Sequence, residues 1–291
     1  GCDGDATTYD LQAGTLAIVV DNGGADPLGG ATVQVTGAGA DLFVSSKTAT
    51  GGVATPFDVD VSTVLTAGSA YTGTATDATV SLNGTIAVAA DQTLTLRTTD
   101  GYTLAWNNAS AGSGNLFVDA GAKVDLTAAD SLATLTGIDI GALGRMTAKV
   151  PTALTSGSTV NVQPYGLFDL ETAQTSPPNL TVEGMGMFTG DGTNRTYGDA
   201  LGGGVNTVLS DDAVVALAPT DPGDGTNPAN HPTTADLDEC TLWLGVTGMD
   251  LDYPGLGSND DAGGVLGGDL SANGPAWEGV YKGVVFNDMI S

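Results

Sequence analysis

The feature that most constrains the fold is a glycine that recurs about every 20 residues, within the repeat lengths typical of solenoids. These glycines are Gly101, Gly121, Gly144, Gly166 and Gly186, and each precedes a short run of alternating apolar and polar residues. A repeat of this kind that contains only short strands is typical of a β-solenoid, in which each coil buries its apolar residues on the next. Residues 99–218 are therefore predicted to be β-solenoid-like, with a second β-sandwich as the alternative.

The alternation also predicts which side chains point into the solenoid, because successive side chains of a strand lie on opposite faces. The residues expected inside are Val118, Val124 and Leu126 in one coil, Ile138, Ile140 and Met146 in the next, and Val160, Val162, Phe168 and Leu170 in the third. The recurring glycines are expected at corners that need a positive φ.

Composition indicates an all-β protein with almost no helix. Of the 34 acidic residues only four are Glu, and Lys and Arg together number 7, whereas Gly numbers 44. Glu and Lys are the usual residues of exposed helix faces, while Asp and Gly favour turns. Helix is therefore expected to be scarce along the whole chain.

Residues 14–98 contain short strand patterns separated by turn signals, which suggest an antiparallel sandwich. Pro27-Leu28 leads into Ala31-Thr32-Val33, Gly51-Gly52 precedes the next strand, and Tyr71 lies in a returning strand. This arrangement resembles a carboxypeptidase-regulatory-like domain. The resemblance implies a prealbumin-type β-sandwich that acts as a non-catalytic spacer or binding module.

The ends of the chain complete the predicted organisation. Residues 1–13 are polar and predicted to be an N-terminal tail. Residues 219–291 are predicted to be a loop-rich segment with some β-structure, since four prolines precede two strand-like runs. Its aromatic residues suit a small core or a cap on the solenoid.

The net charge of −27 excludes several classes of partner. A nucleic-acid-binding protein needs a basic surface, which seven scattered cations do not supply. An anionic membrane surface would repel the protein for the same reason. No apolar run approaches the roughly 20 residues of a transmembrane helix, so no transmembrane segment is predicted.

The acidic turns predict calcium sites. Gly-Asp-Gly-Thr-Asn occurs twice, and an Asn-Asp-Asp turn follows near the C-terminus. Such loops supply the carboxylate, amide and carbonyl oxygens that Ca²⁺ prefers. The candidate ligands are Asp191, Asn194, Asp224, Asn227, Asp260 and Asp261. The alternative interpretation is that Asp-Gly simply forms turns.

The two cysteines have two alternative roles. Gly1-Cys2 resembles the end of a bacterial lipoprotein signal, which implies a lipid on Cys2. The alternative is a disulfide between Cys2 and Cys240, as is common outside the cell. Cys2 and Cys240 are the only cysteines, so these roles compete.

No catalytic residues are predicted. His231 is the only histidine and lies in a proline-rich loop, and the abundance of Asp makes any named carboxylate pair uninformative. The favoured hypothesis is a non-catalytic extracellular structural or assembly protein: a subunit of a surface filament or layer, or a virion decoration or fibre protein. Its partners would be copies of itself or other surface or virion proteins.

Two alternatives remain open. One is a carbohydrate-binding or adhesive lipoprotein at the cell surface, with Trp106, Trp243 and Trp277 as candidate stacking residues for glycans. The other is a calcium-dependent polysaccharide lyase, for which Arg145 and Lys149 would supply the cations.

Overall fold

The computed structural model of the chain describes residues 7–20, 27–28, 30–69, 73–99, 101–155, 157–172, 174–175, 178–183 and 186–190, and the strand backbones at 207–209, 214–217, 241–244 and 284–285. The first twelve strands are β1 Thr8–Leu11, β2 Gly14–Val20, β3 Thr32–Val35, β4 Ala40–Ser46, β5 Thr50–Val53, β6 Phe57–Val59, β7 Thr63–Ala67, β8 Thr79–Leu82, β9 Ile86–Val88, β10 Thr93–Thr98, β11 Thr103–Trp106 and β12 Ser110–Gly112. The remaining twelve are β13 Asn115–Val118, β14 Lys123–Leu126, β15 Gly137–Ile140, β16 Arg145–Ala148, β17 Thr159–Val162, β18 Leu167–Leu170, β19 Asn179–Val182, β20 Met187–Gly190, β21 Thr207–Leu209, β22 Val214–Leu217, β23 Thr241–Leu244 and β24 Val284–Val285. No helix occurs among these residues, which confirms the all-β prediction.

The strands form three sheets that wind into a β-solenoid. Sheet A has the order β1-β3-β6-β9-β12, and sheet B has β2-β4-β7-β10-β13-β15-β17-β19-β21. Sheet C has the order β24-β23-β22-β20-β18-β16-β14-β11-β8-β5. Within the described strands every pairing is parallel except that of β24 with β23, where Thr241 lies opposite Val285.

The interior is one hydrophobic core that runs from Ile18 to Phe188. In sheet B the inward positions of successive coils stack in a single ladder of apolar residues: Leu42, Leu65, Leu96, Val118, Ile140, Val162 and Val182. All seven are buried. The alternation of apolar and polar residues therefore builds the core, because every coil presents one face of its strands inward.

The residues predicted to point inward are confirmed. All ten, from Val118 in β13 to Leu170 in β18, are at most 1% exposed. In this part of the solenoid Leu116 pairs with Ile138, and Ile138 pairs with Val160. The length of one coil therefore equals the interval between Gly144 and Gly166, in agreement with the glycine recurrence that predicted a solenoid.

The prediction of an antiparallel sandwich over residues 14–98 is wrong. Strand β2 pairs in parallel with β4, β4 with β7, and β7 with β10, so these strands belong to the solenoid. Sheets B and C continue across residue 98 without a break. The error has a physical cause: period-2 alternation is the same for antiparallel strands and for parallel coils, so it gives no information about strand direction.

The predictions for the two ends have different outcomes. Residues 8–11, placed in the predicted tail, form β1 and pair in parallel with β3. The predicted C-terminal segment, residues 219–291, is described only in the backbones of β23 and β24. Its loops and its proposed small core lie outside the described residues, as does Tyr71.

The third side of the solenoid changes after β12. Up to that strand it is sheet A, and beyond it the described residues of this side form hydrogen-bonded turns. The amide of Asp130 donates to the carbonyl of Thr152 at 2.7 Å, and the amide of Thr175 donates to the carbonyl of Pro151 at 2.7 Å. The stacking of coil on coil thus persists where the strand is lost.

Candidate interaction surface

The predicted metal ligands and cysteines lie outside the described residues. This holds for Asp191, Asn194, Asp224, Asn227, Asp260 and Asp261, and for Cys2 and Cys240. Calcium binding, lipidation and the disulfide therefore stay predictions. Within the described part of the chain, no group of three or more His, Cys, Asp or Glu side chains is arranged to hold a metal ion.

Of the three tryptophans predicted to stack on glycans, the structure describes the side chain of one. Trp106 is fully buried inside the solenoid, so it does not present a face to a glycan. Trp243 lies on β23, of which only the backbone is described, and Trp277 lies outside the described residues. The cations named for a lyase are both held in ion pairs, Arg145 with Asp169 and Lys149 with Asp125.

The most unusual geometry lies at the corner where sheet B gives way to sheet C. In five successive coils the residue two positions before the sheet C strand has a positive φ. These residues are Asp77 (55°), Gly101 (78°), Gly121 (74°), Leu143 (62°) and Tyr165 (66°). They are equivalent in register, because the strands that follow them pair in order from β8 to β18. The corner thus needs a left-handed residue in each of these coils.

This column corrects the prediction for the recurring glycines. Gly101 and Gly121 do have positive φ, whereas Gly144 and Gly166 follow the left-handed residue by one position. A side chain at Gly166 would place Cβ 2.7 Å from the carbonyl oxygen of Ile140 in the coil below. Glycine is therefore required there for close approach of two backbones.

The spacing of the glycines in the sequence indicates this one-position change in where the glycine lies. Lys123 pairs with Arg145, and this register would place the equivalent of Gly121 at Leu143. The next recurring glycine is instead Gly144, so the interval after Gly121 is one position longer than the coil. The irregular spacing thus marks the point where the role of the glycine changes.

Leu143 and Tyr165 are the exceptional members of the column. Their side chains are 72% and 60% exposed, and they are the exposed large hydrophobic residues of the described chain. The amide of Leu143 donates to the carbonyl of Tyr165 at 3.0 Å, which joins the two turns. A left-handed conformation costs a non-glycine residue about 1–2 kcal/mol. Both residues therefore combine an unfavourable backbone with exposed apolar surface.

Ion pairs lie on sheet C at the two ends of β16: Arg145 is its first residue, and Lys149 follows its last. Arg145 Nη2 contacts Asp169 Oδ2 at 2.6 Å, and Arg145 Nε donates to Thr147 Oγ1 at 3.1 Å. Lys149 Nζ joins three coils, since it lies 3.0 Å from Asp125 Oδ2 and 3.6 Å from Glu171 Oε1. Burial opposes the charge of Lys149, but Asp125 and Glu171 outweigh it, and its pKa is raised above its ordinary value.

We call this region the corner surface: Leu143, Tyr165, Lys123 and the residues of the ion pairs Arg97–Asp119, Arg145–Asp169 and Lys149–Asp125/Glu171. It holds four of the five described cations and four of the thirteen described acids. The other described residues carry nine acids and one cation, Lys47. This set is neutral because ion pairs define it. Three acids outside the set lie in the same column or on and next to the adjoining strands: Asp77 has a positive φ at the same corner position, and Asp139 and Glu183 both accept hydrogen bonds from Asn161 Nδ2.

Comparisons with protein-family models, with curated proteins and with solved structures found no match to this chain. The resemblance of residues 14–98 to a carboxypeptidase-regulatory-like domain therefore rests on the named residues alone, and the sandwich that it implies is not the fold found. Among the described residues no helix is long and apolar enough to span a membrane.

The arrangement is suited to contact with another molecule. The interior is filled by side chains as large as Trp106, Tyr102 and Phe168. The corner surface presents two exposed apolar side chains on turns that share a backbone hydrogen bond, and Arg145, two residues after Leu143, is paired with Asp169. Aromatic residues and arginine are enriched in protein–protein contact surfaces.

Proposed function

We propose that this protein is a non-catalytic structural or assembly protein of an extracellular setting: a subunit of a surface filament or layer, or a virion decoration or fibre protein. The observation that carries the proposal is the continuous solenoid core, in which one apolar ladder connects β4 to β19. Its partners are copies of itself or other surface or virion proteins.

Mechanical stiffness is what this core supplies. Sheet B alone has nine strands, and neighbouring strands lie about 4.8 Å apart, so the stack is roughly 38 Å long. Each coil is joined to the next by backbone hydrogen bonds and by buried side chains, and a close-packed interior transmits load with little compression. A rod of this kind serves as a spacer or a building block.

The strong negative charge shapes how such subunits meet. Copies of a protein with a net charge of −27 repel one another, and salt shortens the range of that repulsion. Ordered assembly therefore requires neutral contact surfaces, bound cations or high ionic strength. We propose that Ca²⁺ bound at the acidic turns contributes to this neutralisation.

Assembly is tested by sedimentation velocity and negative-stain electron microscopy of the full chain, over a hundredfold range of concentration and at low and high sodium chloride. We expect oligomers or ordered polymers that form more readily as salt or calcium is added. A protein that stays monomeric under all these conditions, at concentrations near the solubility limit, would overturn the assembly role.

The calcium proposal needs a separate experiment. Melting curves are recorded with Ca²⁺, with chelator, and with chelator plus sodium chloride of matched ionic strength. Bound calcium predicts a higher melting temperature with Ca²⁺ than with matched salt, because ligand binding stabilises the folded state. Equal stabilisation by the two salts would show screening alone and would contradict specific sites.

A further inference from the structure

We infer that strand β2 pairs with β2 of a second copy of this chain, antiparallel across the open edge of sheet B. The inference rests on the proposed assembly function and assigns that assembly to one strand. It is carried by three observations: the length and open edge of β2, the absence of charge along it, and the self-complementarity of its backbone and side chains.

Strand β2 is the longest of the six described strands that end a sheet. These strands are β1 and β12 in sheet A, β2 and β21 in sheet B, and β5 and β24 in sheet C. Strand β2 has seven residues, whereas the other five have two to four. A long edge strand is a template for pairing with another chain unless it is blunted or covered.

The composition of β2 does not protect it. Strand β1 carries Asp10, and β5 is weakened by Gly51 and Gly52. At β12 the amide of Ser110 donates to the carbonyl of Asp130 at 3.2 Å, so a turn covers that edge. Strand β2 reads Gly-Thr-Leu-Ala-Ile-Val-Val, without a charge or a proline. Segments of this composition readily add to strands of their own kind.

Three residues of β2 direct their backbone groups to the open edge. The carbonyl of Val20 accepts from the amide of Lys47 at 2.9 Å, so the backbone groups of Val20 point toward β4. Because these groups alternate in direction along a strand, those of Thr15, Ala17 and Val19 point away from β4. None of the described strands pairs with β2 on that side.

An antiparallel pair centred on Ala17 satisfies these groups. In this register Thr15 of one copy lies opposite Val19 of the other, and Ala17 lies opposite Ala17. Each of the three residues then exchanges both of its hydrogen bonds with the second copy, as hydrogen-bonded pairs of antiparallel strands do. The strand is therefore complementary to itself about a two-fold axis.

The same register completes the core at the end of sheet B. Leu16 is only partly buried, whereas Leu42, which pairs with it in β4, is 1% exposed. In the antiparallel pair Leu16 lies opposite Ile18 of the second copy, on the inner face of the sheet. Burial of apolar surface favours this association.

The geometry also keeps acidic side chains apart. Among the described residues, the acid closest to β2 on the outer face of sheet B is Asp41, which pairs with Thr15. With strands about 4.8 Å apart and residues about 3.3 Å apart, the two Asp41 residues lie roughly 20 Å from each other. This separation exceeds the Debye length of about 8 Å at physiological salt, so two strongly acidic copies can meet at this edge.

The other end of the solenoid argues against a head-to-tail stack of copies. Continuation of the coils from one copy to the next would require parallel pairing at that end. Sheet C ends there in β24, which is antiparallel to β23. Contact between two identical β2 edges avoids this mismatch, and such two-fold contacts are the commonest form of protein dimer.

The test places a charge at the centre of the proposed pair. Ala17 faces outward on β2, so Ala17→Glu leaves the core intact and sets two carboxylates opposite each other. We expect the self-association constant from sedimentation velocity to fall at least about tenfold, because like charges directly opposite in neighbouring strands are destabilising. The melting temperature, measured at a dilution where both proteins are monomeric, should stay close to that of the wild type.

A matched control adds the same charge to the same row of sheet B, away from the edge. Thr66 follows Ala17 and Phe43 in this row, so it lies on β7 inside the sheet. Because no edge is involved, Thr66→Glu should leave the association constant within about twofold of the wild type.

A mixing experiment tests the two-fold contact. Ala17→Lys is mixed with Ala17→Glu, and the mixture should associate more tightly than either variant alone, because opposite charges then face each other. A purely structural role of Ala17 would give no such rescue.

Cross-linking tests the register in a Cys2→Ser/Cys240→Ser background. In the proposed pair the two Ala17 Cα atoms lie about 5.5 Å apart, within reach of a disulfide, so Ala17→Cys should form covalent dimers under mild oxidation. The two Thr15 Cα atoms lie roughly 14 Å apart, so Thr15→Cys should not.

Several results would overturn the inference. If the wild type assembles and Ala17→Glu assembles equally well, the interface lies elsewhere, and the proposed function survives. If the wild type never associates, both proposals fail together. If Thr15→Cys forms dimers as readily as Ala17→Cys, the antiparallel register is wrong. If Ala17→Glu lowers the melting temperature of the monomer and leaves association unchanged, the edge is covered by the chain itself.

Discussion

The two halves of the described solenoid solve the same packing problem in different ways. Up to β12 each complete coil has three strands, and its third side is sheet A. From β13 to β18 each coil has two strands, and the described residues of its third side form a turn whose backbone and buried side chains are hydrogen-bonded. Gln174 shows the difference, since its amide donates to the carbonyls of Val150 and Thr172 at 2.9 Å each.

This comparison shows which parts of the coil are interchangeable. Sheets B and C continue through both halves, and the left-handed corner between them occurs in both, from Asp77 to Tyr165. The third side varies, provided that its polar groups find partners, because an unpaired buried polar group costs about 1–3 kcal/mol. In the later coils Ser158, fully buried, meets this need by donating to the carbonyl of Leu135 at 2.7 Å.

The largest expected effect comes from removing a large core side chain in each half, which tests whether the two halves share one core. Phe57 in sheet A and Phe168 in β18 are both at most 1% exposed. Each change, Phe57→Ala or Phe168→Ala, should lower the free energy of unfolding by about 3–5 kcal/mol. Urea unfolding followed by fluorescence and circular dichroism should show a shift of the main transition in both variants.

The control for this experiment is the shape of the transition. If Phe57→Ala moves only an early transition and Phe168→Ala only a late one, the halves unfold independently. That result would restore two separate domains in place of one solenoid core.

A second change sharpens the distinction between the two kinds of corner glycine. Gly166→Ala should cost about 1–3 kcal/mol, because its Cβ would lie 2.7 Å from the carbonyl oxygen of Ile140. Gly166→Asn should be no better. At Gly121 a Cβ would meet no atom within 4 Å, and φ is +74°, so Gly121→Asn should be tolerated better than Gly121→Ala.

Thermal unfolding of the four glycine variants measures this pattern. Rescue of position 166 by asparagine would contradict the close-approach explanation. Equal losses of melting temperature in Gly121→Ala and Gly121→Asn would contradict the explanation that position 121 needs a left-handed backbone.

A third prediction compares one residue type in the two halves. Gln174 is 1% exposed on the third side of a later coil, whereas half-buried Gln92 accepts hydrogen bonds from the amide and hydroxyl of Ser62 in an earlier coil. Gln174→Ala should cost about 1–3 kcal/mol, because it leaves the buried amide of Leu154 without its acceptor and removes a donor to the carbonyls of Val150 and Thr172. Gln92→Ala should cost less than about 1 kcal/mol, since water replaces its contacts. Chemical denaturation checks the difference, and equal costs would show that the turns do not depend on buried side chains.

The smallest effect concerns pH on the outer face of sheet A. Burial, with the nearby charge of Asp60, raises the pKa of Asp58 above its ordinary value of 3.8. The folded state therefore binds this proton more tightly than the unfolded state, so the contribution to stability falls as the pH rises through and above 3.8. Asp58→Asn should raise the melting temperature slightly at pH 7, and the gain should vanish below pH 3.8.

Asp10, on the same face, provides the control of opposite sign. Hydrogen bonds from Thr36 and Gln12 lower the pKa of Asp10 below 3.8. Ionised Asp10 therefore stabilises the folded state above pH 3.8, and this stabilisation is lost as the pH falls through the lowered pKa. Asp10→Asn should accordingly lower the melting temperature at pH 7. Shifts of the same sign in both variants would contradict this assignment.

Sequence reasoning succeeded where the signal was periodic. Val160, Val162 and Phe168 were predicted inside because alternation alone determines which face of a strand is buried. The parallel course of β2, β4 and β7 was missed because strand direction depends on contacts between residues of different coils, far apart in the chain.

The corner surface was beyond prediction for a related reason. Leu143 and Tyr165 become equivalent only when β16 pairs with β18 in the register that sets Arg145 opposite Leu167. Their exposure and positive φ are properties of that stacking and not of the local sequence. The recurring glycines that the sequence shows, Gly144 and Gly166, lie one position after these two residues.

The central claim is that residues 14–190 wind into one parallel solenoid. The outward ladder of sheet B places Thr15, Asp41, Val64, Thr95, Phe117, Asp139, Asn161 and Thr181 on successive coils. Spin labels are placed in pairs at these positions in the Cys2→Ser/Cys240→Ser background, and distances are measured by double electron–electron resonance.

At about 4.8 Å per coil, the distance from Thr15 to Asp139 should be roughly 24 Å and that from Thr15 to Thr181 roughly 34 Å. The distance from Thr95 to Thr181 should be roughly 19 Å by the same spacing. A regular increase of this kind, with narrow distributions, is the result that one solenoid predicts. Distances from Thr15 that are broad or do not grow with coil number, while Thr95 to Thr181 keeps its value, would contradict it and separate the N-terminal region from the solenoid.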